Sequence, residues 1–149
     1  MGQVTLDVAQ HEAAHLVVGV ALGLHLGRAS ARACVIGDEH CAGYAWFPLP
    51  PGRRTWAQAI MVAAGVAWER AVAPGVSDTD GVARYDWADL LEAVPSRHDA
   101  ETCVRSAGAL LTGLGAMHAR VTRGLLERDL TGADVARLAE GERLSLELL

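Results

Sequence analysis

Residues 11–15 read His-Glu-Ala-Ala-His and lie in a stretch that is otherwise almost wholly apolar. On a helix, positions four apart stack, so His11 and His15 share one face. Two imidazoles at that spacing can hold one zinc ion, and Glu12 can reach a metal-bound water as a general base. Val8, Ala13, Leu16, Val17, Val20, Ala21 and Leu24 supply an apolar surface that would bury such a helix. Two imidazoles and a carboxylate in a core are expensive without a compensating partner, and a metal is the simplest one. The plainer alternative is a core helix whose histidines are merely hydrogen-bonded. The metal reading also needs a third ligand from elsewhere in the chain.

With 149 residues the chain is long enough for one domain with a real core, expected over residues 1–149. Eighteen acidic against thirteen basic side chains leave a net charge of −5, which offers no overall attraction for nucleic acid or anionic lipid. Cys34, Cys41 and Cys103 are an odd number without a repeated Cys-x-x-Cys, and they read as reduced thiols. No basic-then-apolar leader is visible, and the longest apolar run, residues 16–24, is far short of the ~20 residues of a membrane span. The expectation is a cytoplasmic protein without a membrane span.

Taken in order, the chain predicts a helix over residues 7–24, with Asp7 as N-cap and Gln10 as its reciprocal partner. Residues 28–36 alternate and read as a strand, residues 37–40 as a turn, and residues 42–47 as a second strand closed by Pro48, Pro50 and Pro51. A further short strand is expected without a location. Thr55 and Gln58 cap a helix over residues 56–72, and an acidic loop at 77–81 leads to a short helix ended by Pro95. A long helical stretch runs over residues 99–128, loosened by Gly108, Gly113 and Gly115, and Thr131 to Asp134 cap a last helix. The fold class is therefore mostly α with a small β-sheet (α+β).

On the residues alone the third ligand stays open. A histidine six places after His15 would serve, but that position is Ala21. Glu69 on the second helix, Asp86 and Asp89 on the third, and Asp78 and Asp80 in the loop are the carboxylates available. His25, His40, His98 and His118 show no ligand spacing and read as surface or core residues.

Several separated segments, in order, resemble the peptidase domain of the FtsH family, the membrane-bound ATP-dependent zinc proteases. His11-Glu12-Ala13-Ala14-His15 is similar to that family's His-Glu-x-Gly-His. The segment Gly43, Tyr44, Ala45, Trp46, Phe47 and Pro48 sits where its substrate strand sits. Ala64-Gly65-Val66-Ala67-Trp68-Glu69 resembles its Gly-Gly-Arg-Ala-Ala-Glu helix, and Tyr85-Asp86-Trp87 its Asn-Asp-Leu segment. The resemblance extends to about Leu138. It implies zinc held by His11, His15 and Asp86, with Glu69 close behind the ligands. It also implies an extended substrate laid along an edge strand at Gly43, Tyr44, Ala45, Trp46 and Phe47. Ala14, Tyr85 and the loss of the Arg in the Glu69 helix depart from the pattern. The family's membrane anchor and ATPase module have no counterpart here.

The expected function is thus a zinc metallopeptidase acting on peptides or unfolded polypeptides, with Glu12 as general base. A separate ATPase partner and a homo-oligomer are what the resemblance would add. The alternative is a catalytically weak zinc-binding regulatory or interaction module of the same fold.

Overall fold

The computed structural model describes residues 5–36, 38–48, 54–75 and 83–147. Gly37 of the turn expected over residues 37–40, the prolines Pro50 and Pro51, and the acidic loop with Asp78 and Asp80 lie outside the described residues, while Glu39 and His40 of that turn belong to a strand. The first helix, α1, spans Leu6–Ala21 and is buried from Val8 to Gly19 except at Gln10. A helix buried on nearly every side belongs at the centre of a fold. Here α1 packs chiefly between α2 (Trp56–Val72) and α5 (Gly115–Glu127). Ala9, Ala13 and Ala14 on α1 and Ala63 and Ala64 on α2 expose no surface. Side chains of one carbon let these helices approach closely.

The ends of α1 differ from expectation. Its N-cap is Thr5, not Asp7: Thr5 is extended, and its hydroxyl accepts from the Val8 N–H at 3.3 Å, leaving Asp7 in the first turn. The helix stops at Ala21 rather than Leu24. Gly23 takes a positive φ of 78°, its N–H donates to the Val20 carbonyl, and the Leu24 N–H donates to that of Gly19. These two bonds and the left-handed residue form a Schellman closure.

The strand expected over residues 28–36 is two strands, β1 (Arg28–Ser30) and β2 (Cys34–Ile36). Between them the Arg32 N–H donates to the Ser30 hydroxyl at 3.1 Å, and that hydroxyl donates to Asp129 at 2.6 Å. A local side-chain acceptor of this kind competes with the ladder and turns the chain. β2 pairs with β3 (Glu39–Cys41) in a hairpin of its own. β4 (Tyr44–Trp46) pairs antiparallel with β1, and the strand that sequence could not locate is β5 (Leu130–Thr131), on the other side of β1. In the order β4-β1-β5 the strand β4 is an edge.

The capping box of Thr55 and Gln58 opens α2 as expected. α3 (Arg84–Ala93) follows, and then the expected long helix is divided into α4 (Arg97–Gly113) and α5, with the break at Leu114. Leu114 sits between two glycines at φ −116° and ψ 27°, and the break carries the chain from packing on α2 to packing on α1. Reciprocal bonds between Thr131 and Asp134 cap α6 (Gly132–Glu147). Mostly helical with a small antiparallel sheet, the fold is of the α+β class. Among the described residues no helix is long and apolar enough to cross a membrane.

Because α2 is packed on three helices, its start matters. Thr55→Ala removes the hydroxyl that accepts from the Gln58 N–H and is expected to lower stability by about 1 kcal/mol, read from denaturant unfolding.

Candidate metal centre

Three ligand-type atoms converge where α1, α2 and α3 meet. His11 Nε2 lies 2.8 Å and His15 Nε2 3.1 Å from Asp86 Oδ2, and the two imidazole nitrogens are 3.2 Å apart. Donors held ~2.0–2.1 Å from a tetrahedral zinc ion stand roughly 3.3 Å from one another, so this triangle is a few tenths of an ångström tighter than a filled site. This is the one such group of His, Cys, Asp and Glu donors among the described residues, and it can hold a metal ion.

The chain positions each ligand by a separate device. His15 donates its Nδ1–H to the Met61 carbonyl of α2 at 2.8 Å. That bond fixes the ring and leaves Nε2 aimed at Asp86 and His11, the usual outer support of a metal-binding histidine. The His11 ring is set sterically, edge-on to His15 and against the backbone of Gly65. A Cβ on Gly65 would collide with His11 Cε1 and come within 2.8 Å of Asp86 Oδ2. His11 Nδ1 is buried and has no hydrogen-bond partner among the described residues.

Asp86 stands in the first turn of α3, where the helix dipole favours a carboxylate. Trp87 and Leu90, one turn apart, bury the inner face of this helix, and the Arg70 and Arg97 guanidinium groups lie over the Trp87 ring. The N-cap of α3 is Ala83, which has no capping side chain, but its N–H donates to Glu69 Oε2 on α2 at 2.6 Å. Glu69 thus stands behind the site, holding the start of the helix that carries Asp86. It is not one of the three converging donors.

Electrostatics couples the group tightly. Burial alone would lower the His15 pKa, but the adjacent Asp86 carboxylate reverses this and raises it to about 9. Burial would raise Asp86, yet His15 and the bonds from both histidines hold it well below the usual carboxylate range. Without metal, then, His15 keeps a proton where a metal would sit. Burial pushes the Glu12 carboxyl above its ordinary value, and His15 and His11 offset this only in part.

A cavity of about 310 Å³ opens onto the group. Glu12, His15 and Asp86 line it together with Gly43, Tyr44, Ala45, Trp46 and Phe47. All five expected strand residues therefore line the same cavity as Glu12, His15 and Asp86. Their roles differ, however. Trp46 is exposed at the rim, whereas Phe47 is buried, its ring filling the space where a Gly19 side chain would be. Gly43 is required by its own fold: a Cβ there would meet the Ser30 carbonyl and Val8 at 2.7 Å.

The competing carboxylate Asp89 also lines the cavity but is paired with Arg54 at 2.8 Å. His25, His40 and His98 are exposed. His118 is buried, stacks on Trp68 and donates to the Gln10 carbonyl at 2.9 Å, bracing α1 beside His11. Gly65 and Arg54 belong to this site and were not identified from sequence. An isolated glycine in a helical pattern was the available signal for Gly65.

Compared with known proteins, the chain matches no family model and no curated sequence.

Two outcomes follow from the geometry. Gly65→Ala is expected to weaken zinc binding by at least ~10-fold in a competition titration. Gly108→Ala, whose Cβ would meet only Ala67 at 4.0 Å, leaves it unchanged. Metal must also displace the proton on His15. Zinc affinity should rise up to ~10-fold per pH unit as the pH climbs toward about 9 and level off above it. Calorimetry in buffers of different ionisation enthalpy would detect that proton below pH 9.

Proposed function

We propose that this chain is a zinc-dependent metallopeptidase of the FtsH-like kind, hydrolysing peptide bonds in peptides or unfolded polypeptides. The observation that carries the reading is the position of Glu12. It is a buried carboxylate next to a His–His–Asp group, on a cavity that the edge strand β4 also lines. A module that only held a metal would have no use for a general base there.

His11, His15 and Asp86 would hold the ion, and two imidazoles with one carboxylate suit zinc. Bound there, zinc supplies a Lewis acid that makes water nucleophilic near neutral pH and polarises a carbonyl. Glu12 takes the proton from the attacking water and passes it to the departing amide nitrogen. Its burial raises its proton affinity above that of an ordinary carboxylate. An extended substrate adds beside β4 through main-chain hydrogen bonds, which reads backbone more than side chains. Strand addition needs extended chain, so folded proteins would first have to be unfolded by a separate ATPase partner.

The test is degradation of an unfolded casein by the purified protein beside Glu12→Gln, with zinc content measured on both. Wild type is expected to cleave. Glu12→Gln is expected to keep its zinc and lose at least ~10²-fold in rate. If both hold zinc and neither cleaves even short unfolded peptides, the peptidase reading fails and a zinc-binding regulatory module takes its place.

A further inference from the structure

Cys34 and Cys41 face each other across the β2–β3 hairpin, in the antiparallel register Cys34↔Cys41, Val35↔His40 and Ile36↔Glu39. Directly opposed residues in such a ladder put their side chains on one face, with Cα atoms ~4.5–5.5 Å apart. A disulfide requires Cα atoms ~4.4–6.8 Å apart, which either kind of ladder pair meets, and Cβ atoms ~3.5–4.5 Å apart, which opposed ladder residues reach by closing up to about an ångström. No disulfide joins the two, and both are half-buried, which leaves them open to a small reagent. Cys103 on α4 is fully buried and lies on a different element.

We propose that Cys34 and Cys41 are a redox-active dithiol that closes into an intramolecular disulfide on reaction with a small-molecule disulfide such as oxidised glutathione. The thiolate of one cysteine attacks a sulfur of the reagent, forming a mixed disulfide and releasing one small thiol. The second cysteine, as thiolate, then attacks the protein-bound sulfur and forms the Cys34 Sγ–Cys41 Sγ bond. The second small thiol leaves. Two electrons pass to the reagent, whose two thiols take up the two cysteine protons, and a dithiol reductant reverses the exchange.

The pair lies at the open end of the hairpin. Ala31, Arg32 and Ala33 join it to β1, and Ala42 and Gly43 join it to β4, the edge strand that lines the cavity beside the candidate metal centre. The bond would clip the base of the hairpin at the point where the chain enters that strand. Nothing in this inference depends on whether the metal centre turns over peptides.

Purified protein is incubated with oxidised glutathione, its remaining thiols are alkylated, and intact mass and peptide mapping are read. The expected product is a monomer lighter by two hydrogens, with Cys103 alone alkylated and a linked Cys34–Cys41 peptide. In Cys34→Ser and in Cys41→Ser the remaining hairpin cysteine retains a stable glutathione adduct. Hydrogen exchange over residues 34–41 slows by roughly threefold or more in the oxidised form. Persistent glutathione adducts on both cysteines of wild type, a bridge found only between two chains, or no reaction would overturn the dithiol. A bridge that leaves exchange unchanged would overturn the clip.

Discussion

The Asp86 carboxylate reaches both imidazoles across the bare backbone of Gly65, and the packing behind the cavity is arranged around that approach. His11 and Asp86 belong to helices that do not follow one another in sequence, and α2 lies against both. Any side chain at Gly65 would stand in the space the two ligands occupy. The alanines of α1 and α2 do the same at lower stakes, bringing the helices close enough for the Met61 carbonyl to accept a hydrogen bond from the His15 Nδ1–H. The metal group is therefore a consequence of small residues as much as of ligands.

A chain that buries His11, Glu12 and His15 in its central helix faces a large desolvation penalty. In the absence of metal the group meets it internally, with Asp86 ionised and a proton kept on His15. That arrangement is charge-balanced but places a proton where an ion would lie, so metal and proton compete for one position. Glu12 stands outside this balance. Its carboxyl is pushed upward by burial and only partly drawn back by the histidines.

Local chemistry was legible wherever a residue acts on near neighbours. The capping boxes at Thr55 and Thr131, the end of α3 before Pro95 and the helical spacing of His11 and His15 are all interactions within four residues. Errors arose where two local solutions competed. Thr5 and Asp7 can both cap a helix, and the extended backbone at Thr5 decides it. The periodicity of residues 99–128 runs through Leu114, yet packing on two different helices breaks it there. Ser30 interrupts the alternating strand because Asp129, 99 residues away, holds its hydroxyl.

Sequence by itself determined the fold class and the pair of histidines with Glu12 between them, because period and composition act along one helix. It left Glu69, Asp78, Asp80, Asp86 and Asp89 open as the third ligand, and resemblance alone singled out Asp86. Only the tertiary structure separates them physically: Asp86 meets the histidines, Arg54 takes Asp89, and Glu69 holds the start of α3. The same holds for Cys34 and Cys41, whose opposition depends on hairpin register. Which carboxylate or thiol meets which partner is fixed by the packing of distant segments, and one-dimensional spacing carries no record of that.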